Sequence, residues 1–219
     1  MFADSNKYNE SNEIFRIVVE DKFADVDAKL MMEISGLFMK QIINLRNKIS
    51  TSNDNVYILK FENIRYQGDL LWDFFKICQG KSADIKLSDI YYLSLIAEEW
   101  ECPIILQQLL LLLESKADPR DILSRFSRQP DIFPFLIDII ASKFRLIFEN
   151  SESKEKIKDL DPKYICKIIQ SPKCEFPRRD YFDEFIIDLI TKHRERCSSL
   201  IKYIDLLNTD LQNLKNLNA

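Results

Sequence analysis

The chain has 219 residues, 46% of them hydrophobic, so it can bury one large core or two small ones. It carries 31 basic and 35 acidic residues, a net charge of −4, and no block of five like charges, which disfavours nucleic-acid binding. With only three glycines and seven prolines, the composition favours a mainly helical backbone.

The N-terminal stretch "MFADSNKYNESNE" is polar and lacks the basic-then-apolar organisation of a signal peptide. The apolar run at residues 104–113 is shorter than the ~20 residues needed to cross a bilayer, and two glutamines interrupt it. We therefore expect a buried helix there rather than a membrane segment. The predicted location is intracellular, in the cytoplasm, with the nucleus as the alternative, and no membrane partner is expected.

The cysteines do not form a metal or disulfide pattern. They are odd in number, widely spaced and without a C-x-x-C pair, which disfavours a disulfide framework or a zinc site. Buried or idle thiols are the favoured interpretation. Cys174, among prolines and beside Lys173, is the one expected to be exposed enough to react, although an idle loop cysteine is the better explanation.

Strand patterns open the first part of the chain. "IFRIVVEDKF" (residues 14–23) predicts a strand that turns at Glu20 and Asp21 into a second strand near residues 23–26. Apolar spacing over residues 27–45 predicts one or two amphipathic helices, with Gly36 between them. After a polar break, "VYILKF" predicts a third strand.

The next stretch alternates helix, strand and helix signals. An apolar helical face ends at Gly80, a residue suited to a left-handed helix terminus. "ADIKLS" predicts a very short strand from Ala83 to Leu87, followed by a helix capped by Ser88. Pro103 then fits the first turn of a further helix.

Strand patterns disappear after Glu114, and we place a domain boundary near residues 115–118. Two Asp-Pro pairs, at Asp118 and Asp161, predict helix starts with proline at the first helical position. A long apolar helix is expected at residues 135–148 and a polar bridge at residues 149–159. The second region is thus predicted to be all-helical.

The end of the chain has leucines and isoleucine at alternating gaps of four and three, the spacing of a coiled coil. An amphipathic last helix that packs on its own domain is an equal alternative. The residues with the coiled-coil spacing are Leu200, Ile204, Leu207, Leu211 and Leu214. The predicted parts are a flexible N-terminus (1–12), a first domain (13–115), a helical region (116–197) and a C-terminal helix that could begin a coiled coil (198–219).

This order of elements resembles a BTB (POZ) domain followed by a BACK-like region. "FRIVVEDKFADVDAKLMMEISGLFMKQII" resembles the family's opening hairpin and first helices, with Ser35 and Phe38 at its Ser-x-x-Phe turn. "YQGDLLWDFFKICQGKSADIKLSDIYYLSLIAEEWECPIILQQL" is similar to its next helix, short strand and final helix pair. "FPFLIDIIASKFRLIFEN", "LDPKYICKIIQSPKCEF" and "YFDEFIIDLI" are similar to the first BACK helices. The variant looks most like protist modules ahead of ankyrin or leucine-rich repeats.

The resemblance implies an α+β fold: a BTB/POZ-like domain with a small three-stranded sheet, a short extra strand and helical hairpins, then an all-α BACK-like region. It implies a homodimer face on the first helix, at Leu30, Met31 and Ile34. It also implies a partner surface that many relatives use for a cullin, here around Gln79, Lys81, Ser82 and Asp84. Trp72, beside Asp73, is predicted as a further partner anchor.

The sequence departs from the family pattern in three places. Asp27-Ala28-Lys29 stands where His-Lys is usual, and Cys78-Gln79-Gly80 stands where Tyr-x-Gly is usual. "KSADIKLS" lacks the hydrophobic-x-Glu signature of cullin binders, which puts cullin binding in doubt.

Residues that could carry chemistry are scattered. His193, the single histidine, lies in the charged stretch "TKHRER", where a solvated surface residue is the better explanation. The isolated glycines form no phosphate-binding loop. We expect no catalytic residues, no metal and no cofactor. The predicted function is a non-enzymatic protein-protein interaction module that homodimerises as a scaffold; the alternative is a substrate adaptor of a cullin-type ubiquitin ligase.

Overall fold

The computed structural model describes residues 14–19, 22–46, 56–61 and 68–203. The chain divides into two units, Met1–Ser115 and Lys116–Ala219. The first unit contains strands and helices, and the second unit is helical in its described part. The predicted α+β class is therefore confirmed.

Three strands form one sheet in the order β2-β1-β3. Strands β1 (Ile14–Val19) and β2 (Lys22–Asp27) pair antiparallel, and β3 (Val56–Phe61) runs parallel to β1. Phe15 and Ile17 of β1 are fully buried on one face of the sheet. Their neighbours along β1 are exposed or half-buried, so buried and accessible side chains alternate along β1. The sequence pattern predicted the strand from this alternation.

Among the described residues of the first unit, five helices accompany the sheet. They are α1 (Ala28–Ile34), α2 (Gly36–Arg46), α3 (Gly68–Cys78), α4 (Leu87–Glu99) and α5 (Pro103–Lys116). Asp27 caps α1 by accepting a hydrogen bond from the Leu30 N–H at 2.9 Å. Ser35, and not the predicted Gly36, separates α1 from α2. Gly36 is the first residue of α2, and its N–H donates to the Glu101 carbonyl at 3.0 Å.

The short strand predicted from Ala83 to Leu87 is wrong. Residues 81–86 have no regular secondary structure, and Leu87 already belongs to α4. An alternation of five residues is too short to identify a strand unless a partner strand pairs with it. Ser88 is not the N-cap either: Lys86 is, and it provides no side-chain cap.

The second unit contains six α-helices among its described residues. They are α6 (Pro119–Arg128), α7 (Leu136–Ser142), α8 (Phe144–Glu149), α9 (Ser151–Lys158), α10 (Pro162–Gln170) and α11 (Arg179–His193). Both predicted Asp-Pro starts are confirmed. Asp118 accepts from the Arg120 N–H at 2.8 Å, and Asp161 accepts from the Lys163 N–H at 2.9 Å.

Two predictions for this unit are wrong. The expected long helix at residues 135–148 is interrupted at Lys143, where the backbone leaves helical geometry (φ −113°, ψ 10°). Residues 149–159 are not a simple bridge, because they contain α9. Asn150 caps that helix through the Ser153 N–H at 2.9 Å, and Ile157 anchors it by full burial.

A cluster of phenylalanines forms part of the second core. The rings of Phe148 and Phe185 meet edge to face at 5.1 Å, and Phe144 lies within ring-contact distance of both. Such pairs add about 0.5–1.5 kcal/mol each beyond the burial of their area. The cluster thus joins α8 to α11.

After α11 the chain continues as a 3₁₀ helix, Arg194–Tyr203, rather than as an α-helix. Leu200, the first predicted heptad residue, is fully buried. The other four, Ile204, Leu207, Leu211 and Leu214, lie outside the described residues, as does the N-terminus predicted to be flexible (1–12).

Candidate protein-binding site

An open groove of about 460 Å³ lies between the edge strand β2 and helix α3 in the first unit. This volume is within the range of ~300–1,000 Å³ found for ligand pockets. Three residues of β2 line one side, and five residues of α3 and the turn after it line the other. The lining residues are Phe23, Ala24, Asp25, Trp72, Phe75, Lys76, Gln79 and Lys81.

Contacts with β1 hold the β2 side of the groove. Arg16 lies opposite Asp25 in the strand register, and its guanidinium donates to both carboxylate oxygens at 2.7 and 2.8 Å. These hydrogen bonds lower the pKa of Asp25 below its ordinary value. The same guanidinium lies 4.5 Å from the ring centre of Phe23, whose surface is still 60% exposed. Phe23 is thus fixed but accessible.

Aromatic packing holds the α3 side. Phe75 is 1% exposed and meets the ring of Trp100 edge to face at 5.1 Å. The ring of Trp72, which is half-buried, lies 5.9 Å from that of Phe75. Trp100 therefore belongs to the core, whereas Trp72 presents part of its surface to the groove.

A glycine-dependent turn sets the end of α3. The Lys81 N–H donates to the Lys76 carbonyl at 2.8 Å, and the Gly80 N–H donates to the Ile77 carbonyl at 2.9 Å. Together with φ +67° at Gly80, this is a Schellman motif, and the predicted left-handed terminus is confirmed. The turn brings the Lys81 ammonium to 2.9 Å from the Gln79 side-chain oxygen at the rim of the groove.

Three of the five predicted partner-binding residues line this groove: Trp72, Gln79 and Lys81. The other two, Ser82 and Asp84, are exposed in the irregular segment that follows. Sequence reasoning missed the β2 side, because Phe23 was interpreted only as a strand residue. Phe23 lies three residues before the buried Val26, so in a strand the two side chains point to opposite faces, and this spacing is the signal that marks Phe23 as outward-facing.

The predicted dimer residues lie on α1 in different environments. Leu30 and Ile34 are half-buried, but Met31 is fully buried inside its own unit. The Met31 side chain therefore contributes to the core of one copy. Sequence spacing could not separate these neighbours, because all three are apolar and adjacent on a short helix.

Within the described ranges, no group of three or more His, Cys, Asp or Glu side chains could hold a metal ion. His193 ends α11, half-buried, and its Nε2 atom is buried without a hydrogen-bond partner among the described residues. This contrasts with the solvated position expected for it, because the ring packs partly against its own unit.

The cysteines meet in two pairs that their sequence spacing does not reveal. A hydrogen bond with Cys102, together with burial, raises the pKa of the Cys78 thiol. In the second unit, burial and the neighbouring Cys166 raise the pKa of Cys197 to about 11. Burial raises the pKa of Cys174 to about 12. All five thiols are free. The raised pKa values of Cys78, Cys174 and Cys197 lower their reactivity, whereas the hydrogen bond with Cys78 lowers the pKa of Cys102.

In the part of the chain that the structure describes, no helix has the length and apolar content to span a bilayer. Compared with known proteins, the chain matches no family model and no curated protein.

Proposed function

We propose that the chain is a non-enzymatic protein-protein interaction module of the BTB type, whose first unit forms a homodimer and whose helical second unit, BACK-like, acts as a scaffold arm. The observation that carries the proposal is apolar exposure on the first two helices. On α2, Met39 and Ile43 are 43% and 49% exposed and lie one turn apart. On α1, Leu30 and Ile34 have the same spacing and are half-buried.

Such side chains are suited to a two-fold interface, in which the same patch of both copies is buried. Apolar and methionine side chains are enriched at the centres of such interfaces. A homodimer through α1 and α2 would remove these four side chains from water, at roughly 25 cal/mol for each Å² of apolar surface covered.

The order of elements in the first unit supports the BTB-type assignment. Two strands, two helices, a third strand and three helices follow one another as the resemblance implies, apart from the short strand. The hydrogen bond between Ser35 and Phe38 also supports it: at the start of α2, the Phe38 N–H donates to the Ser35 hydroxyl at 3.0 Å, within the Ser-x-x-Phe turn.

The test is co-expression of two differently tagged full-length copies, followed by capture through one tag. We expect the second copy to be recovered with the wild-type pair and lost when both copies carry Leu30→Asp and Ile43→Asp. Ile132→Asp is the matched control, because Ile132 is 45% exposed but lies in the second unit. Equal recovery of the double variant, with unchanged circular dichroism, would contradict the homodimer.

The second candidate function is a substrate adaptor of a cullin-type ubiquitin ligase. The observation that favours it is the irregular segment of residues 81–86, in which Lys81, Ser82 and Asp84 are exposed beside the groove. Pull-down with the N-terminal domain of a cullin tests it. Capture of the wild-type chain that is lost in the Ser82→Arg and Asp84→Arg double variant supports the adaptor. If the wild-type chain is a dimer and the cullin domain does not capture it, the scaffold function is favoured.

A further inference from the structure

We infer that the groove between β2 and α3 binds an extended segment of another protein, which adds as a fourth strand to the edge of β2 and carries an apolar and an acidic side chain on one face. This inference deepens the proposed interaction function and rests on it. The occupant is defined by three features of the groove: a strand edge, an apolar interior and an unbalanced positive charge.

The first feature is the edge itself. Strand β2 pairs with β1 on one side, and no strand within the described ranges pairs with its other side. Along an edge strand, every second residue directs its backbone N–H and C=O groups outward in the plane of the sheet. A further strand can form hydrogen bonds with these groups. Adding an extended peptide to such an edge is a recurrent mode of recognition, in which the backbone provides affinity and alternate side chains provide specificity.

The second feature is the apolar interior. Ala24 lies opposite the fully buried Ile17, so it faces the core side of the sheet, and it lines the groove together with residues of α3. Its small side chain leaves space beside Phe75 and Trp72. On a strand added next to β2, every second side chain would point into this space. A large apolar residue at one of those positions would be covered on two sides by aromatic rings.

The third feature is the charge of the rim. Asp25 is neutralised by Arg16 at 2.7 Å, and Lys76 is paired with Asp73 at 2.7 Å. Lys81 differs, because its ammonium donates to the neutral Gln79 amide, and no carboxylate of a described residue pairs with it. An acidic side chain of the ligand, on the same face as the apolar one, would supply the missing countercharge.

A second copy of the chain fits this edge less well. Pairing two β2 strands about a two-fold axis would bring two rims together, each with the unbalanced charge of Lys81. Like charges at one junction oppose association. The exposed apolar side chains of α1 and α2 lie outside this groove, so self-association and segment binding are assigned to different surfaces.

The experiment uses the full chain as bait and a phage-displayed library of random linear nonapeptides as the probe. We expect enriched peptides to share a large apolar residue separated by an even number of positions from Asp or Glu. The dissociation constant of the most enriched peptide is then measured by fluorescence anisotropy. Absence of a shared pattern, or a spacing of an odd number of positions such as three or seven, would overturn the inference.

A charge reversal identifies the site. Lys81→Glu should lower the affinity for the selected peptide at least tenfold. The same peptide with its acidic residue changed to Lys should bind the Lys81→Glu variant with most of the lost affinity restored. Lys86→Glu is the matched control, because Lys86 is exposed on the same segment but does not line the groove; its effect should stay within twofold. Equal binding to all three proteins overturns the inference.

Backbone substitution identifies the binding mode. N-methylation of single amides along the peptide should weaken binding at every second position, because only alternate N–H groups of an added strand face β2. A uniform or absent effect overturns strand addition. The oligomeric state of each protein is measured in parallel: a monomer that selects these peptides refutes the homodimer alone, whereas a dimer that selects none refutes this inference alone.

Discussion

The Ser35 hydroxyl donates a hydrogen bond to the Trp100 carbonyl at 2.6 Å, joining the α1–α2 junction to the end of α4 across 65 residues of sequence. The same oxygen accepts from the Phe38 N–H. Ser35, Trp100 and Phe38 are all buried, so the Ser35 hydroxyl provides hydrogen bonds to two backbone groups that water does not reach.

Ser35→Ala should therefore destabilise the first unit by about 1–3 kcal/mol, because the Trp100 carbonyl loses a donor and α2 loses its cap. Urea unfolding followed by tryptophan fluorescence measures this change in the free energy of unfolding. Both tryptophans of the chain, Trp72 and Trp100, lie in the first unit, so the signal reports that unit. Ser115→Ala is the control, because Ser115 is exposed; a change in Ser35→Ala no larger than in this control would contradict the role of Ser35.

The turn at Gly80 gives a second prediction. Any residue with a side chain is strained at φ +67°, so Gly80→Ala should cost about 1–2 kcal/mol. Gly80→Asn should cost less, because asparagine tolerates the left-handed region better. The same fluorescence assay measures both, with Ser82→Ala as an exposed control nearby. Equal stability of the alanine and asparagine variants would argue against backbone strain.

The two neighbours on α1 should respond differently to a charge. Met31→Asp places an unpaired carboxylate in a fully buried position, so it should unfold the first unit rather than merely separate a dimer. Leu30→Asp, at a half-buried position, should leave the fold intact. Near-ultraviolet circular dichroism distinguishes them. A folded Met31→Asp monomer would mean that Met31 belongs to an interface instead of a core.

The cap of α6 predicts a pH dependence. Hydrogen bonds from the Arg120 side chain and backbone N–H lower the pKa of Asp118 to about 2. A carboxylate with a depressed pKa in the folded state stabilises it at pH values above the ordinary value near 4, and this contribution is lost as the pH falls from about 4 to 2. Asp118→Asn keeps a capping oxygen but has no charge. The difference in Tm between wild type and this variant, measured by far-ultraviolet circular dichroism, should shrink from pH 5 to pH 2.5; a constant difference would contradict it.

Cys174 should react slowly despite its place in a loop. With its pKa raised to about 12 by burial, very little thiolate exists at pH 7.5. Cys174→Ser should therefore leave the initial rate of reaction with Ellman's reagent unchanged, while the fully unfolded protein reacts at all five cysteines. Loss of a fast phase in the variant would show that Cys174 is a reactive thiol.

Local signals predicted much of the fold. The Asp-Pro pairs located two helix starts because the cap and the fixed φ of proline act within three residues. Gly80 was identified for the same reason, since a left-handed terminus depends on one residue. The strand assigned to residues 83–87 failed because strands depend on pairing partners that sequence alternation does not reveal. The break at Lys143 was also missed, because both sides of it are equally apolar.

The groove could be predicted only in part. Trp72 and the turn at residues 79–81 were identified from local features of α3. Phe23 to Asp25 come from a hairpin about 50 residues earlier, and only the tertiary fold places them beside α3. The same limit applies to the cysteine pairs, whose members are 24 and 31 residues apart in the sequence.

Size-exclusion chromatography with light scattering on the full chain, over a range of concentrations, measures directly whether the chain forms a homodimer. We expect a mass twice that of the 25.9 kDa chain, falling to the monomer mass for the Leu30→Asp and Ile43→Asp double variant. A mass of 25.9 kDa for the wild-type chain at every concentration would contradict it.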